Sequence, residues 1–217
     1  TINEVVDKIN RIEVMRALAR LKKRRYTYRL LLTPETIGSL CWLSSHEKLI
    51  PKIDGGLFLE MLGTDCAHSL QMSYQKESEM DLCLREALME RESDAWSAPF
   101  RQVIGNDERQ FNAPGVRVPM LSLSRVFPPK TGKWPYPEYH SSKDTPEFIS
   151  LERLEASVDT TLAMLARIEE NLYPINLFLG EVFCTRYNLF VDFYENPEGN
   201  RRLFETMQMI DGTKTLS

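Results

Sequence analysis

Three acids and one histidine in this chain have the types and settings that catalysis and metal binding use. Tyr139-His140-Ser141-Ser142-Lys143-Asp144-Thr145 carries one of only three histidines, approached through Pro135 and Pro137. Neutral imidazole is the commonest side-chain metal ligand, and a nearby carboxylate can fix its tautomer. Alone, His140 reads equally as a ligand and as a loop residue satisfied by hydrogen bonds. Glu60 lies within the apolar run Leu57-Phe58-Leu59-Glu60-Met61-Leu62. An ionised side chain is costly there unless paired or metal-bound, the other reading being a half-exposed strand position. Glu35, in Pro34-Glu35-Thr36-Ile37-Gly38-Ser39, follows another apolar run as a strand-end acid or a turn carboxylate. Asp7 precedes an amphipathic pattern, where a carboxylate also complements the positive end of a helix. Oxygen and nitrogen donors of this kind suit zinc.

The elements that must position these residues alternate in type. Ile9, Ile12, Met15, Leu18, Ala19 and Leu21 recur mostly at three- and four-residue steps, which predicts a helix over 9–21 with these residues on its apolar face. Strands are expected at 26–32, 57–62, 69–74 and 116–123. Helices are expected at 37–45, 79–92 and 150–171, the last capped by Ser150. Residues 127–148, rich in proline and aromatics, read as loop. This order predicts an α/β fold, a three-layer α/β/α sandwich on a mixed, largely parallel sheet. Functional groups in such sheets gather at the carboxyl ends of the strands, where Glu35 and Glu60 would fall. Past Leu172 the chain turns aromatic without completing another α/β repeat. The expected division is therefore 1–171 and 172–217, with a domain interrupted at both ends.

Composition removes several function classes. The 217 residues are 42% apolar and 27% charged, with a net charge of -4, which argues against non-specific nucleic-acid binding. The basic cluster Lys22-Lys23-Arg24-Arg25 closes a helical pattern and reads as its solvated end. Four scattered cysteines (Cys41, Cys66, Cys83, Cys184) contain no CxxC, so they read as buried thiols in a reducing compartment. No apolar run reaches the roughly 18 residues a membrane helix needs, and the expected location is the cytoplasm. Gly55-Gly56 lacks dinucleotide or phosphate-loop spacing, and no Gly-x-Ser-x-Gly elbow is present.

The order of these motifs resembles the zinc aminopeptidase family that uses two co-catalytic metals, and most closely an aminopeptidase-like branch of unknown function. In that branch a winged-helix domain follows the peptidase domain. Asp7-Lys8-Ile9-Asn10-Arg11 resembles the motif whose aspartate bridges the metals, with Asn-Arg where the family often has Ser-Gly. The segment Arg29 to Ser39 resembles the one that delivers the catalytic glutamates. It carries Pro34-Glu35 in place of two adjacent glutamates, a form the aminopeptidase-like branch shares. Leu57 to Gly63 resembles the strand with a further acidic ligand. Asn106-Asp107-Glu108-Arg109-Gln110-Phe111 with Pro114-Gly115 resembles the pocket-lining segment, and Tyr139 to Thr145 the loop whose histidine binds metal. The family's first metal-binding histidine lies upstream of the bridging aspartate. Asn200 to Thr213 resembles entry into a winged helix.

The resemblance implies a zinc-dependent hydrolase, with one or two zinc ions, cleaving an amide bond of a small peptide or amino-acid conjugate. Asp7, Glu60 and His140 would hold metal, and Glu35 would act as general base or as a further ligand. Asp107 and Asp144 would orient the ligands, Tyr139 would flank the site, and Arg109 could receive a substrate carboxylate bidentately. The rival expectation is a non-catalytic ligand-sensing or regulatory module of the same fold. A homo-oligomer stays open.

Overall fold

The computed structural model describes residues 2–213, with side chains from Asp7 onward. The chain divides into two compact units, residues 1–169 and 170–217. In the first, helices α1 (Ile2–Arg20), α2 (Ile37–Ser45), α3 (Glu79–Arg91), α4 (Glu108–Phe111) and α5 (Leu151–Glu170) surround four strands. These are β1 (Gly56–Glu60), β2 (His68–Gln71), β3 (Trp96–Ala98) and β4 (Met120–Arg125). The sheet order is β1-β4-β2-β3. β1 is parallel to β4 and β3 to β2, while β2 runs antiparallel to β4. The sheet is thus mixed and mostly parallel, as expected.

Alternation along the strands gives the sheet two unlike faces. Leu57, Leu59, Leu70, Leu121 and Leu123 form one face. They pack with Val14 and Leu18 of α1, Cys83, Leu84 and Leu88 of α3, and Met164, Leu165 and Ile168 of α5. The other face carries Glu60, Ser69, Gln71, Ser122 and Ser124, every one buried. There Met120 packs against Leu43 of α2 and Phe111 of α4, which makes the third layer. A buried sheet face this polar must be saturated with hydrogen bonds, and this one positions the candidate site.

Helix α3 begins with a reciprocal capping box: Ser78 Oγ accepts from Asp81 N at 3.1 Å, and Asp81 Oδ2 accepts from Ser78 N at 3.1 Å. Ser150 likewise accepts from Arg153 N at the start of α5, as its position predicts. Three expectations change. Residues 26–32 form no strand, because the Glu169 carboxylate takes Arg25 N and Tyr26 N and receives Tyr28 Oη, in place of a ladder. β4 begins only at Met120: Arg117 turns to φ 55° and Val118 N bonds Phe111 O, so 116–118 lie outside the ladder, which Pro119 O joins only by accepting from Gly56 N at 3.0 Å. In α1 the buried positions are Asp7, Asn10, Val14 and Leu18, and Ile9, Ile12 and Leu21 are exposed. Asp7 therefore lies within the helix rather than before it.

In the second unit, α6 (Pro197–Gln208) follows an irregular segment, and Ile175 pairs with Asp211 in one antiparallel bridge. Asn196 caps α6 by accepting from Gly199 N at 2.8 Å.

Candidate functional site

The carboxyl end of β1 gathers two buried carboxylates. Glu60, the last strand residue, is 5% exposed, and Asp7 reaches the same point from α1. Asp7 Oδ2 accepts from Met61 N at 2.6 Å and Oδ1 from Leu62 N at 3.0 Å, so this acid closes the end of the strand. Glu60 Oε1 accepts from Ser122 Oγ at 3.0 Å and Oε2 from Asn106 Nδ2 at 3.1 Å. Burial, then the Glu108 charge and to a lesser degree Asp7, push the Glu60 carboxyl up to about 8, against the pull of Asn106 and Ser122. One turn of α1 beyond Asp7, Asn10 donates Nδ2 to Leu154 O at 3.1 Å, while its buried Oδ1 has no hydrogen-bond partner. A buried acceptor left without a partner is an exception among folded proteins.

The segment 105–109 ties this end of β1 to the rest of the site. Asn106 holds Glu60. Asp107 Oδ1 accepts from Thr36 N and from Ser39 Oγ, both at 2.7 Å, and so fixes the turn that carries Glu35. Glu108, fully buried, receives Gln71 Nε2 at 2.9 Å and Asn106 N at 2.8 Å. Burial raises its carboxyl to about 7 against these bonds and the nearby Arg109. Arg109 Nε donates to Asn106 O at 2.8 Å, folding its side chain over Gly105.

Glu35 itself is exposed. The next residue, Thr36, has φ 61° and ψ -61°, and Ile37 N donates to Glu35 O at 2.6 Å, closing a tight γ-turn. Positive φ is rare for a β-branched residue and persists only where surroundings impose it. Here Asp107 imposes it. Met61 and His140 also take positive φ, at 53° and 54°, so all three candidate segments hold a residue in this region.

His140 is exposed and stacks on Tyr139 with ring centroids 3.8 Å apart. Tyr139 packs against Tyr136 in the cluster that contains Met61, so the histidine loop is anchored near the end of β1. Asp144 Oδ2 receives Tyr136 Oη at 3.4 Å. Among the described residues no three His, Cys, Asp or Glu side chains stand together as a metal-holding group. Of the ligands expected from sequence, Asp7 and Glu60 share the end of β1, while His140 stands exposed on its own loop. Sequence reasoning gave no role to Asn10, Ser122, Asn106 or Glu108. Of these only Ser122 lay outside the motifs around Asp7 and Asp107.

Residues 5–171 match a family described as a domain of unknown function (DUF4910). The chain is 33% identical over 164 residues to a Clostridium acetobutylicum protein named as a proposed polysaccharide biosynthesis protein with aminopeptidase-like domain, covering 76% of this chain and 36% of that one. The crystal structure of a proposed peptidase from Clostridium acetobutylicum matches 95% of this chain and 52% of that chain, at a TM-score of 0.69 and 26% identity. BSAP, a zinc aminopeptidase from Bacillus subtilis, matches 62% of this chain and 33% of its own at a TM-score of 0.50 and 22% identity, a likeness of fold alone. The chain spans about a third of the curated relative and about half of the solved one. No helix among the described residues is long and apolar enough to cross a membrane.

Proposed function

Because this chain belongs to the DUF4910 family and has an aminopeptidase-like fold, we propose that it contributes to the centre of a metal-dependent hydrolase. The reaction would cleave an amide bond in a small peptide or amino-acid conjugate. One observation carries this reading: the buried carboxylates of Asp7 and Glu60 both lie at the carboxyl end of β1. Asp7 and Glu60 would hold zinc, with His140 as a further ligand. Zinc bound there would lower the pKa of a water and polarise the substrate carbonyl.

The chain's own residues then have distinct tasks. Glu35, presented on an exposed turn that Asp107 pins, would take a proton from the nucleophile as general base. Arg109, partly buried beside Asn106, would receive a substrate carboxylate. Tyr139 and Asp144 would hold the His140 loop in place. One or two metal ions, a cytoplasmic setting and a winged-helix role for 172–217 belong to the same proposal.

A second reading has its own support: a ligand-sensing module without catalysis. Every carboxylate oxygen of Asp7 and Glu60 already accepts a hydrogen bond from protein. Metal analysis of the full-length, unchelated protein beside turnover of aminoacyl-amide substrates decides between them. The hydrolase reading expects stoichiometric zinc, loss of zinc in Glu60→Gln, and retained zinc without turnover in Glu35→Gln. Zinc well below stoichiometry in the wild type overturns it.

A further inference from the structure

On the apolar face of the sheet, at the end where Glu60 also lies, a second polar cluster takes no part in the proposed chemistry. Arg125, the last residue of β4, is 2% exposed. Its Nε donates to Ser157 Oγ at 2.9 Å and its Nη1 to Cys66 O at 2.8 Å. Among the described residues no ion pair includes it. A buried guanidinium without a carboxylate is costly, and the planar fork of arginine suits an oxyanion. Burial, above any neighbour, disfavours its charged form.

The nearest acid is already committed. Both oxygens of Glu92 lie within 2.9 Å of His68 Nδ1, and Oε1 also accepts from Thr160 Oγ1 at 2.6 Å. His68 Nε2 meets Ser157 Oγ at 2.9 Å, which gives Ser157, His68 and Glu92 the spacing of a hydrolytic triad. Ser157 and His68 are 0% exposed, and Ser157 Oγ is also bonded to Arg153 O, so these three act as scaffold for Arg125.

Outside this scaffold opens a cleft of about 510 Å³, lined by Arg91, Glu92, Asp94, Arg125, Arg153 and Thr160. Arg153 pairs with Asp65 at 2.7 Å, but that aspartate side chain is 83% exposed, and such pairs contribute little. Asp94, the second acid lining the cleft, takes no part in the scaffold, and its charge opposes an incoming anion. We propose that the cleft binds a small oxyanion, phosphate or carboxylate, with Arg125 at its floor and Arg91 and Arg153 at its rim.

Calorimetric titration of the full chain with inorganic phosphate, and separately with acetate, at constant ionic strength tests this. Saturable binding of either anion is expected, and the one that binds more tightly identifies the chemistry. Arg91→Ala and Arg153→Ala should each weaken binding by about tenfold, the loss of one charge-assisted contact. Asp94→Asn, on an exposed residue, should tighten it about threefold, by relief of like-charge repulsion. A gain cannot come from misfolding. The proposal is overturned if neither anion saturates, or if all three variants bind like the wild type.

Discussion

At the scale of single residues, Asp107 and His68 make the clearest demands. Asp107→Ala strips Thr36 N and Ser39 Oγ of a shared charged acceptor, and should cost about 1.5–3 kcal/mol in urea unfolding. If Glu35 is the base, the same variant lowers kcat far more than it raises KM, because the turn loses its constraint while substrate contacts remain. His68 is held neutral: burial lowers it from 6.5, although its bond to Glu92 opposes the shift. Burial works against the Glu92 charge, but bonds from His68 and Thr160 outweigh it and hold that carboxyl below its usual 4.5. Both folded pKa values are depressed, so on acidification the unfolded chain takes up protons first. These two groups make stability fall as pH drops through 6.5 and again through 4.5, while the raised carboxyls of Glu60 and Glu108 work the other way. Urea unfolding at pH 7, 6, 5 and 4 should therefore show wild-type stability falling relative to His68→Asn as pH drops through 6.5, and a wild type that gains relative to the variant there would refute the assignment. Asp7, Glu35, Glu60 and Asp107 could be singled out in sequence because each sits in a short motif. Asn10, Ser122 and the His68–Glu92–Arg125 group could not, since their partners lie 24 to 144 residues away and no local spacing encodes them.

At the scale of elements, β4 bears most of the packing, paired on both sides and buried from Leu121 onward. Leu123→Ala should lower stability by about 2–5 kcal/mol in thermal or chemical unfolding, through a cavity at the junction of α1, α3 and α5. Ser78→Ala, which opens the capping box of α3, should cost only about 1 kcal/mol. Helices α2, α3 and α5 were legible from their apolar residues, and the Ser150 cap fixed the start of α5. The segment 26–32 was not: Tyr26 to Leu32 has strand composition, yet a carboxylate from α5 satisfies part of its backbone instead of a neighbouring strand. β3 spans three residues, too few for alternation to register. Ile9 and Ile12, two of the apolar steps in α1, fall on its exposed side, because the buried face carries Asp7 and Asn10 beside Val14 and Leu18, and hydrophobic patterning counts polar residues as surface.

At the scale of the whole molecule, the three apolar clusters all fall between Val14 and Ile168, within the first unit. Residues 1–171 should therefore unfold in one cooperative transition, with a Tm within a few degrees of the full chain by calorimetry. Two overlapping transitions, or loss of folding, would mean that the second unit completes the first. The exposed apolar side chains of 172–194, among them Leu177, Phe178, Leu179, Phe183 and Tyr194, make that comparison informative.

The segment 106–109 has a consequence for how this family can diverge. Four consecutive residues serve four clients: Asn106 the end of β1, Asp107 the turn before α2, Glu108 the end of β2, and Arg109 the segment's own backbone. They also hold one another, Asn106 Oδ1 accepting from Asp107 N and Glu108 Oε2 from Asn106 N, so exchange of one loosens its neighbours. A deletion or insertion of one residue shifts all four out of phase at once. Change in length should accordingly be confined to stretches such as 128–134, exposed throughout and free of strands. Reading frames that slip within 106–109 should be absent from folded descendants.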